Sequence, residues 1–247
     1  MASLYKDIKE KDLNICLKTS DTISIILNDD LNINYDLNDG DYSILIFNNA
    51  NKNIVLNENG TINNSNVTIN ILELNEYEFK QESNIKVNKG SHLKVLTTYL
   101  GVNKKDINYH LFNNESESTI EIDNNVVCLK DADLSLNVVG KIVKGAKRSK
   151  CFQKSRCLTF ENPKKAKVLP VLEIDENDVE ASHSLSSGTI DEEVLFYMNS
   201  RGLNKKQALL LLIVSYLMPN EDFYKEYEDG LLIKEIADER VSKACLI

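Results

Sequence analysis

Asn66–Leu74 reads NVTINILEL, with Val67, Ile69 and Ile71 alternating with Thr68 and Asn70. A period of two puts successive side chains on opposite faces of an extended chain, so this stretch reads as a half-buried strand. Upstream the same texture recurs in TISIILN (Thr22–Asn28), YSILIFN (Tyr42–Asn48) and NIVLN (Asn53–Asn57). Downstream come YEFKQ, IKVN, HLKVLTTYL, TIEIDN, VVCLK and LSLNVV, the last ending at Val139. Asn38–Asp39–Gly40 and Asn59–Gly60 supply turn signals between such runs. Hardly any segment before about Glu180 sustains a helical period. Regular short strands are compatible with a sandwich, a barrel or a β-solenoid. Without a crisp repeat unit, periodicity does not choose among them; the fold class is mainly β.

After Pro170 the character changes. Thr189–Glu192 (TIDE) fits a capping box, and the helix it would open, EEVLFYMNSR, stops at Gly202, a residue suited to a left-handed cap. Asn204–Gln207 (NKKQ) resembles a second helix start. Ala208–Met218 follows, apolar almost all round, which implies burial on more than one side. Asn220 opens a third helix and Leu231 a fourth, amphipathic one ending near Ala244. A β body over residues 1–180 and a small helical C-terminal domain over 181–247 are the expected organisation.

Composition narrows the function classes. With 247 residues, 42% hydrophobic and 27% charged, the chain can bury a sizeable core as a soluble globular protein. The heavy use of Asn reads as compositional bias rather than chemistry. A net charge of −9 argues against a general nucleic-acid or anionic-membrane binder. The N-terminal MASLYKDIKEKDL has no apolar region of signal-peptide type, and Ala208–Met218 is too short to span a bilayer. Five scattered cysteines make neither a disulfide framework nor a structural-zinc pair, so reduced thiols in the cytoplasm are the simplest reading.

Few residues advertise chemistry. His92 and His110 lie in strand-like segments without an acidic or cysteine partner at ligand spacing and read as structural. Cys16, Cys128 and Cys245 sit among apolar neighbours as small core hydrophobes. No nucleophile elbow, phosphate loop, HExxH or dinucleotide fingerprint occurs. The basic run KIVKGAKRSKCFQKSR (Lys141–Arg156) has the plain reading of a solvated strand edge. Only Phe152 could stack on a base there. Its lysines and arginines would favour thiolate at Cys151 and Cys157, making them soft ligands for iron or carriers of sulfur. Further on, acids crowd before His183, hydroxyl residues follow it, and a helix begins shortly after.

PVLEIDENDVEASHSLSSGTIDEEVLFYMNSRGL (Pro170–Leu203) carries a resemblance. It is similar to the C-terminal signature of the SufB/SufD family of iron–sulfur cluster assembly. Pro170, Leu172, Glu173, Ile174, Asp178, Val179, Ser182, His183, Gly188, Ile190, Asp191, Glu192, Glu193, Leu195, Phe196, Tyr197, Ser200, Arg201 and Gly202 all fit that pattern. Gly140, Lys141, Ile142, Gly145, Ala146 and Gln153 resemble a shortened upstream family segment. The Ser–His pair is of SufD type. The position of the SufB cluster-building cysteine falls at Ser155, with Cys157 close beyond it as an uncertain substitute.

The resemblance implies a right-handed parallel β-helix followed by a helical domain, and a scaffold rather than an enzyme. It implies pairing with a SufB-like scaffold and docking of a SufC-like ABC ATPase through Phe196, Tyr197, Arg201 and Gly202. His183, with Cys157, would touch iron and a nascent iron–sulfur cluster transiently at the subunit interface. A homodimer serving without a separate partner is the alternative, and a β-solenoid hydrolase or lyase acting on polysaccharide a more distant one. Ser184 and Leu185 depart from the residues common in SufD proteins, as does the short length.

Overall fold

A computed structural model describes residues 2–5, 10–160, 163–217, 227 and 230–245. In chain order the strands are β1 (Ala2–Tyr5), β2 (Asp12–Leu17), β3 (Asp21–Leu27), β4 (Leu31–Asn38), β5 (Asp41–Asn48), β6 (Ile54–Asn63), β7 (Asn66–Glu73) and β8 (Phe79–Val87). They continue as β9 (His92–Gly101), β10 (Lys104–Asn113), β11 (Thr119–Cys128), β12 (Asp133–Ile142), β13 (Ser149–Thr159), β14 (Lys165–Ile174) and β15 (Val179–Thr189). Three helices follow: α1 (Glu192–Ser200), α2 (Lys205–Leu217) and α3 (Gly230–Cys245).

Odd-numbered strands form one sheet and even-numbered strands the other, each in unbroken order, and the paired strands are parallel. Each coil therefore lays one strand on each sheet and steps to the next: a two-sheet parallel β-helix. The alternation read from sequence becomes inside and outside. On β12, Leu134, Leu136 and Val138 are buried while Ser135, Asn137 and Val139 remain partly exposed. The inward residues of all coils merge into one apolar core from Ile15 to Cys157.

The coil length drifts, which is why no repeat unit is visible in the sequence. Side chains that bond from one coil to the next are 20 residues apart at Asn32–Asp12, 25 at Asn57–Asn32, 29 at Asn137–Asn108 and 31 at Asn124–Ser155. The asparagines overturn the compositional reading, because many of them stack. Asn63 donates to Asn38 (2.9 Å), Asn88 to Asn63 (2.6 Å) and Asn114 to Asn88 (2.9 Å), a ladder at the same corner of successive coils. Carboxamides donate and accept at once, so each rung satisfies the next.

The lumen is not wholly apolar. Glu58, 1% exposed, accepts from the Tyr35 hydroxyl (2.8 Å), Gln81 Nε2 (2.8 Å) and Ser83 Oγ (2.6 Å). Tyr99 in turn donates to Gln81 Oε1 at 2.8 Å. Burial raises the Glu58 carboxyl above its ordinary value, against the pull of those three donors. Nearby, the buried Lys105 ammonium donates to Glu73 (2.6 Å) and to the carbonyls of Asn75 (2.8 Å) and Tyr77 (2.7 Å), using every donor it has.

Helices α2 and α3 lie on the outer face of the odd-strand sheet. Ile213 and Leu217 of α2 and Ile233, Ala237 and Val241 of α3 pack on Leu45, Phe47, Leu72, Leu100 and Val127. Polar ties reinforce this: Thr98 Oγ1 donates to the Leu217 carbonyl (3.0 Å), and Arg240 reaches the Asn48 carbonyl and Asn49 Oδ1 while lying over the Phe47 ring.

Several expectations change. The 180/181 boundary falls within β15, and strand gives way to helix between Thr189 and Glu192. The first helix is capped by Asp191, whose carboxylate accepts from Glu193 N (2.8 Å), rather than by Thr189, which ends the strand. The Asn204–Gln207 box forms as read, with reciprocal bonds of 2.9 Å. α2 buries only Ala208, Ile213 and Leu217 fully, and Leu211 stays half exposed, so the helix is not covered all round as its composition implied. α3 matches the fourth expected helix, whereas the third, from Asn220, lies outside the described residues.

Candidate functional site at the open end of the solenoid

Among the described residues, the last coil, β14 and β15, has a strand neighbour on one side only. β14 ends the even sheet next to β12, and β15 ends the odd sheet next to β13. Residues that would be core elsewhere are therefore uncovered: Ile174 and Leu185, in register with the buried Ile142 and Ser155, are both exposed, as is most of β15. Two parallel edges and their apolar side chains form one open end face.

Register shows what this face carries. On β13 the inward residues are Ser149, Cys151, Gln153, Ser155 and Cys157, all buried. On β15 their in-register partners are Val179, Ala181, His183, Leu185 and Ser187. Paired residues of parallel strands share a face. His183 thus stands on the lumen side, one step beyond Gln153, and is exposed, with no further coil over it among the described residues. The fold brings His183, Cys151 and Cys157 onto one face although they are spread over two coils.

The thiols are not as the basic run suggested. Cys151 is pushed up to about 12 by burial. Lys150 and Phe152, its neighbours in sequence, point to the opposite face by strand alternation, so the adjacent positive charge is spent outside. Cys157 is lowered, first by a hydrogen bond with the Cys128 thiol and then by one with Ser187, while Cys128 is raised by the same bond and by burial. That Cys128–Cys157 contact, between adjacent strands, had no signal in sequence spacing. Cys16 is exposed rather than core, Cys128 is buried as expected, and the Cys245 side chain lies outside what the structure describes.

The basic run has a simpler electrostatic role than edge protection. One coil later the acids before His183 meet it in register: Lys141 lies 3.2 Å from Glu173 and 3.6 Å from Asp175, and Lys150 lies 2.9 Å from Glu180. Glu176 accepts from Gly145 N at 3.0 Å. The crowded acids thus balance the preceding coil. The histidines read as partnerless each face a glutamate on a neighbouring strand, His92 at 3.3 Å from Glu121 and His110 at 3.5 Å from Glu82. Among the described residues, no three His, Cys, Asp or Glu side chains gather closely enough to hold a metal ion.

The second candidate surface is α1. None of its residues is buried, and its side chains Phe196 (76% exposed) and Tyr197 (56%) stand in solvent. Arg201, its C-cap, lies with its guanidinium 5.2 Å from the centre of the Tyr197 ring. Gly202 takes a φ of +95°, and the amides of Gly202 and Leu203 close onto the carbonyls of Asn199 and Met198. This Schellman turn fixes where α1 ends and aims the chain into α2. The four residues implied for ATPase docking therefore lie together at one exposed helix and its cap.

The family model described as "SUF system FeS cluster assembly, SufBD core domain" matches residues 19–216. Among curated proteins, the chain is similar to the iron–sulfur cluster assembly protein SufD of Bacillus subtilis, 39% identical over 92 residues. That alignment covers 37% of this chain and 21% of the relative. SufD of Escherichia coli is 43% identical over 47 residues, 19% of this chain and 11% of that protein. An iron–sulfur cluster assembly SufBD family protein of Pyrococcus horikoshii is 34% identical over 80 residues, 32% of this chain and 18% of the relative. The matched segments span about a fifth or less of each of these relatives.

Proposed function

Because this chain belongs to the SufBD family of the SUF iron–sulfur cluster assembly system, we propose that it is a SufD-like scaffold and adaptor, not an enzyme. The observation that carries the proposal is the open end face, where two unpaired parallel edges frame His183. A second β-helix can continue both sheets across these edges, pairing backbone groups that no strand among the described residues pairs. The occupant that fits best is a SufB-like scaffold with edges of the same kind.

The cluster is cargo at that junction. His183 offers one imidazole ligand from this side, and Cys157, lowered but buried a coil deeper, is at most a secondary donor. The remaining ligands come from the partner, so the nascent cluster sits between subunits and is held transiently. α1 is the docking element for a SufC-like ABC ATPase, with Phe196 and Tyr197 as apolar anchors and Arg201 as their polar rim. α2 and α3 are fastened to the odd-strand sheet, so a displacement of the helices by the ATPase transmits to the solenoid and its open end. No helix among the described residues is long and apolar enough to cross a membrane, and the reading places the protein in the cytoplasm with its thiols reduced.

Co-purification of the full chain with the host's SufB-like protein and SufC-like ATPase, followed by sizing, tests this. A complex containing all three is expected. Binding the ATPase alone, with the chain paired to itself, replaces the heteromer by a homodimeric scaffold. Binding neither overturns the functional reading.

A further inference from the structure

We infer that the two edges of the open end face are not equivalent: β15 offers a partner strand an unbroken row of main-chain hydrogen bonds, and Pro170 breaks that row on β14. A strand turns the N–H and C=O of one residue to one neighbour and those of the next residue to the other. The bonds across the last coils fix which residues do which. Lys165 N donates to the Ala132 carbonyl and Asp175 N to the Ile142 carbonyl, both at 2.9 Å, so the odd-numbered residues of β14 bond to β12. Its even-numbered residues, Ala166, Val168, Pro170, Leu172 and Ile174, turn their backbone to the open side. Pro170 sits in the middle of that row and has no N–H to offer.

The phase of β15 gives the opposite result. Lys150 N donates to the Ser118 carbonyl and Phe160 N to the Cys128 carbonyl, so the even-numbered residues of β13 bond to β11 and its odd-numbered ones to β15. Bonds between parallel strands slant by one residue, so it is the even-numbered residues of β15 that meet β13. Val179, Ala181, His183, Leu185, Ser187 and Thr189 turn their backbone outward, each with its N–H. The side chains agree. Lysine and proline guard sheet edges against strand addition, and β14 has both, with exposed Lys165 and Lys167 before Pro170. β15 has neither. Its one carboxylate, Glu180, is held by Lys150 at 2.9 Å, and the outer-face residues Ser182, Ser184, Ser186 and Gly188 are too small to fend off a strand. A full-length row of unguarded donors and acceptors is what another extended main chain satisfies. The occupant is therefore a strand of the partner scaffold laid along β15. On β14 the partner finds only two short stretches, one on either side of Pro170. Because the β15 row runs through His183, the register of that pairing also sets where the imidazole stands against the partner.

The inference rests on the reading of the end face as the pairing surface, yet it can fail while that reading stands. Amide hydrogen exchange of the full chain, read residue by residue, is compared between the free chain and its complex with the host's SufB-like protein, or its own pair where it binds only itself. The amides of Ala181, His183, Leu185 and Ser187 should slow on pairing, while those of Ser182, Ser184 and Ser186, already turned to β13, change little. That alternation marks an added strand, since burial alone would slow every amide alike. Val168 and Leu172 on β14 should slow less than any of the four. Two prolines placed in the outward phase give the same comparison in affinity, because neither removes a bond within the chain's own sheets. Leu185→Pro takes an N–H out of the row and should weaken the complex by about tenfold or more. Val168→Pro should leave it near wild type. Slowing on β14 equal to that on β15, slowing along β15 without alternation, or equal loss from the two prolines overturns the inference and leaves the SUF reading in place. Should either proline variant fail to fold, exchange in the wild type decides. A chain that pairs with neither the SufB-like protein nor itself overturns both.

Discussion

Gln81 on β8 and His183 on β15 both occupy lumen-facing positions of parallel strands, yet they live in opposite surroundings. Gln81 is fully buried and bonded to Glu58, Ser83, Tyr99 and Tyr109. His183 is exposed, with no coil above it among the described residues. Strand chemistry is the same in both places; what differs is whether the next coil exists. In a solenoid each unit buries the face of its neighbour, so the middle accumulates satisfied polar networks and the end keeps its groups available. The middle should therefore answer to substitution in stability and the end in association.

The largest expected effect is in the middle. Lys105→Met removes the ammonium from a pair in which neither side chain is exposed and leaves Glu73 as a buried charge. Breaking such a pair from one side costs about 3–5 kcal/mol, read as a lowered urea midpoint. Lys105→Met combined with Glu73→Gln should recover a large part of that loss. Equal damage in the single and double variants would break the account.

A second effect in the middle is one of pH. Burial raises the folded-state pKa of Glu58 above its ordinary 4.5. Between 4.5 and the raised value the folded chain holds a proton that the unfolded chain has released, so the contribution of Glu58 falls as pH rises through that window. The stability of wild type relative to Glu58→Gln should decline from pH 4.5 towards neutrality. A flat or rising difference would mean that the three donors outweigh burial.

Smaller still is the corner ladder. Asn63→Ala removes the rung that donates to Asn38 and accepts from Asn88. Because those partners are half exposed and can turn to water, a loss of about 1 kcal/mol is expected, measured by thermal or urea unfolding. A loss several times larger would make the ladder a principal element of the fold rather than a trim along its edge.

Legibility in the sequence follows the same division. Alternation in NVTINILEL and its neighbours sufficed for strands, because inside and outside differ in polarity at every second residue. It could not yield the solenoid, because the step between stacked partners grows from 20 to 31 residues and hides the repeat. The helical caps were half legible: Asn204–Gln207 formed as written, while Asp191 displaced Thr189, since an unbroken strand carried Thr189 to its end. At the site, nearness in sequence misled. Lys150 beside Cys151 promised a thiolate, but adjacent residues of a strand face apart and Cys151 stayed a buried thiol. The pairing of His183 with Gln153 is thirty positions long and belongs to register, which a single sequence does not display.

At the end of the molecule the expected effect on the fold is close to nothing, and that is the sharpest form of the comparison. His183→Ala and Phe196→Asp alter exposed residues that support no core packing, so each should leave stability within about 0.5 kcal/mol of wild type. Their consequences should separate by surface. Phe196→Asp places a charge where an apolar anchor meets the ATPase and should weaken that association at least tenfold, read by titration of the purified ATPase, while pairing through the end face persists. His183→Ala should leave both associations intact and lower the yield of assembled cluster, because the end face keeps its edges and loses only a ligand. If His183→Ala assembled clusters at the wild-type rate in an otherwise intact complex, the end face would be an adaptor surface alone, and the chemistry would lie wholly on the partner's side.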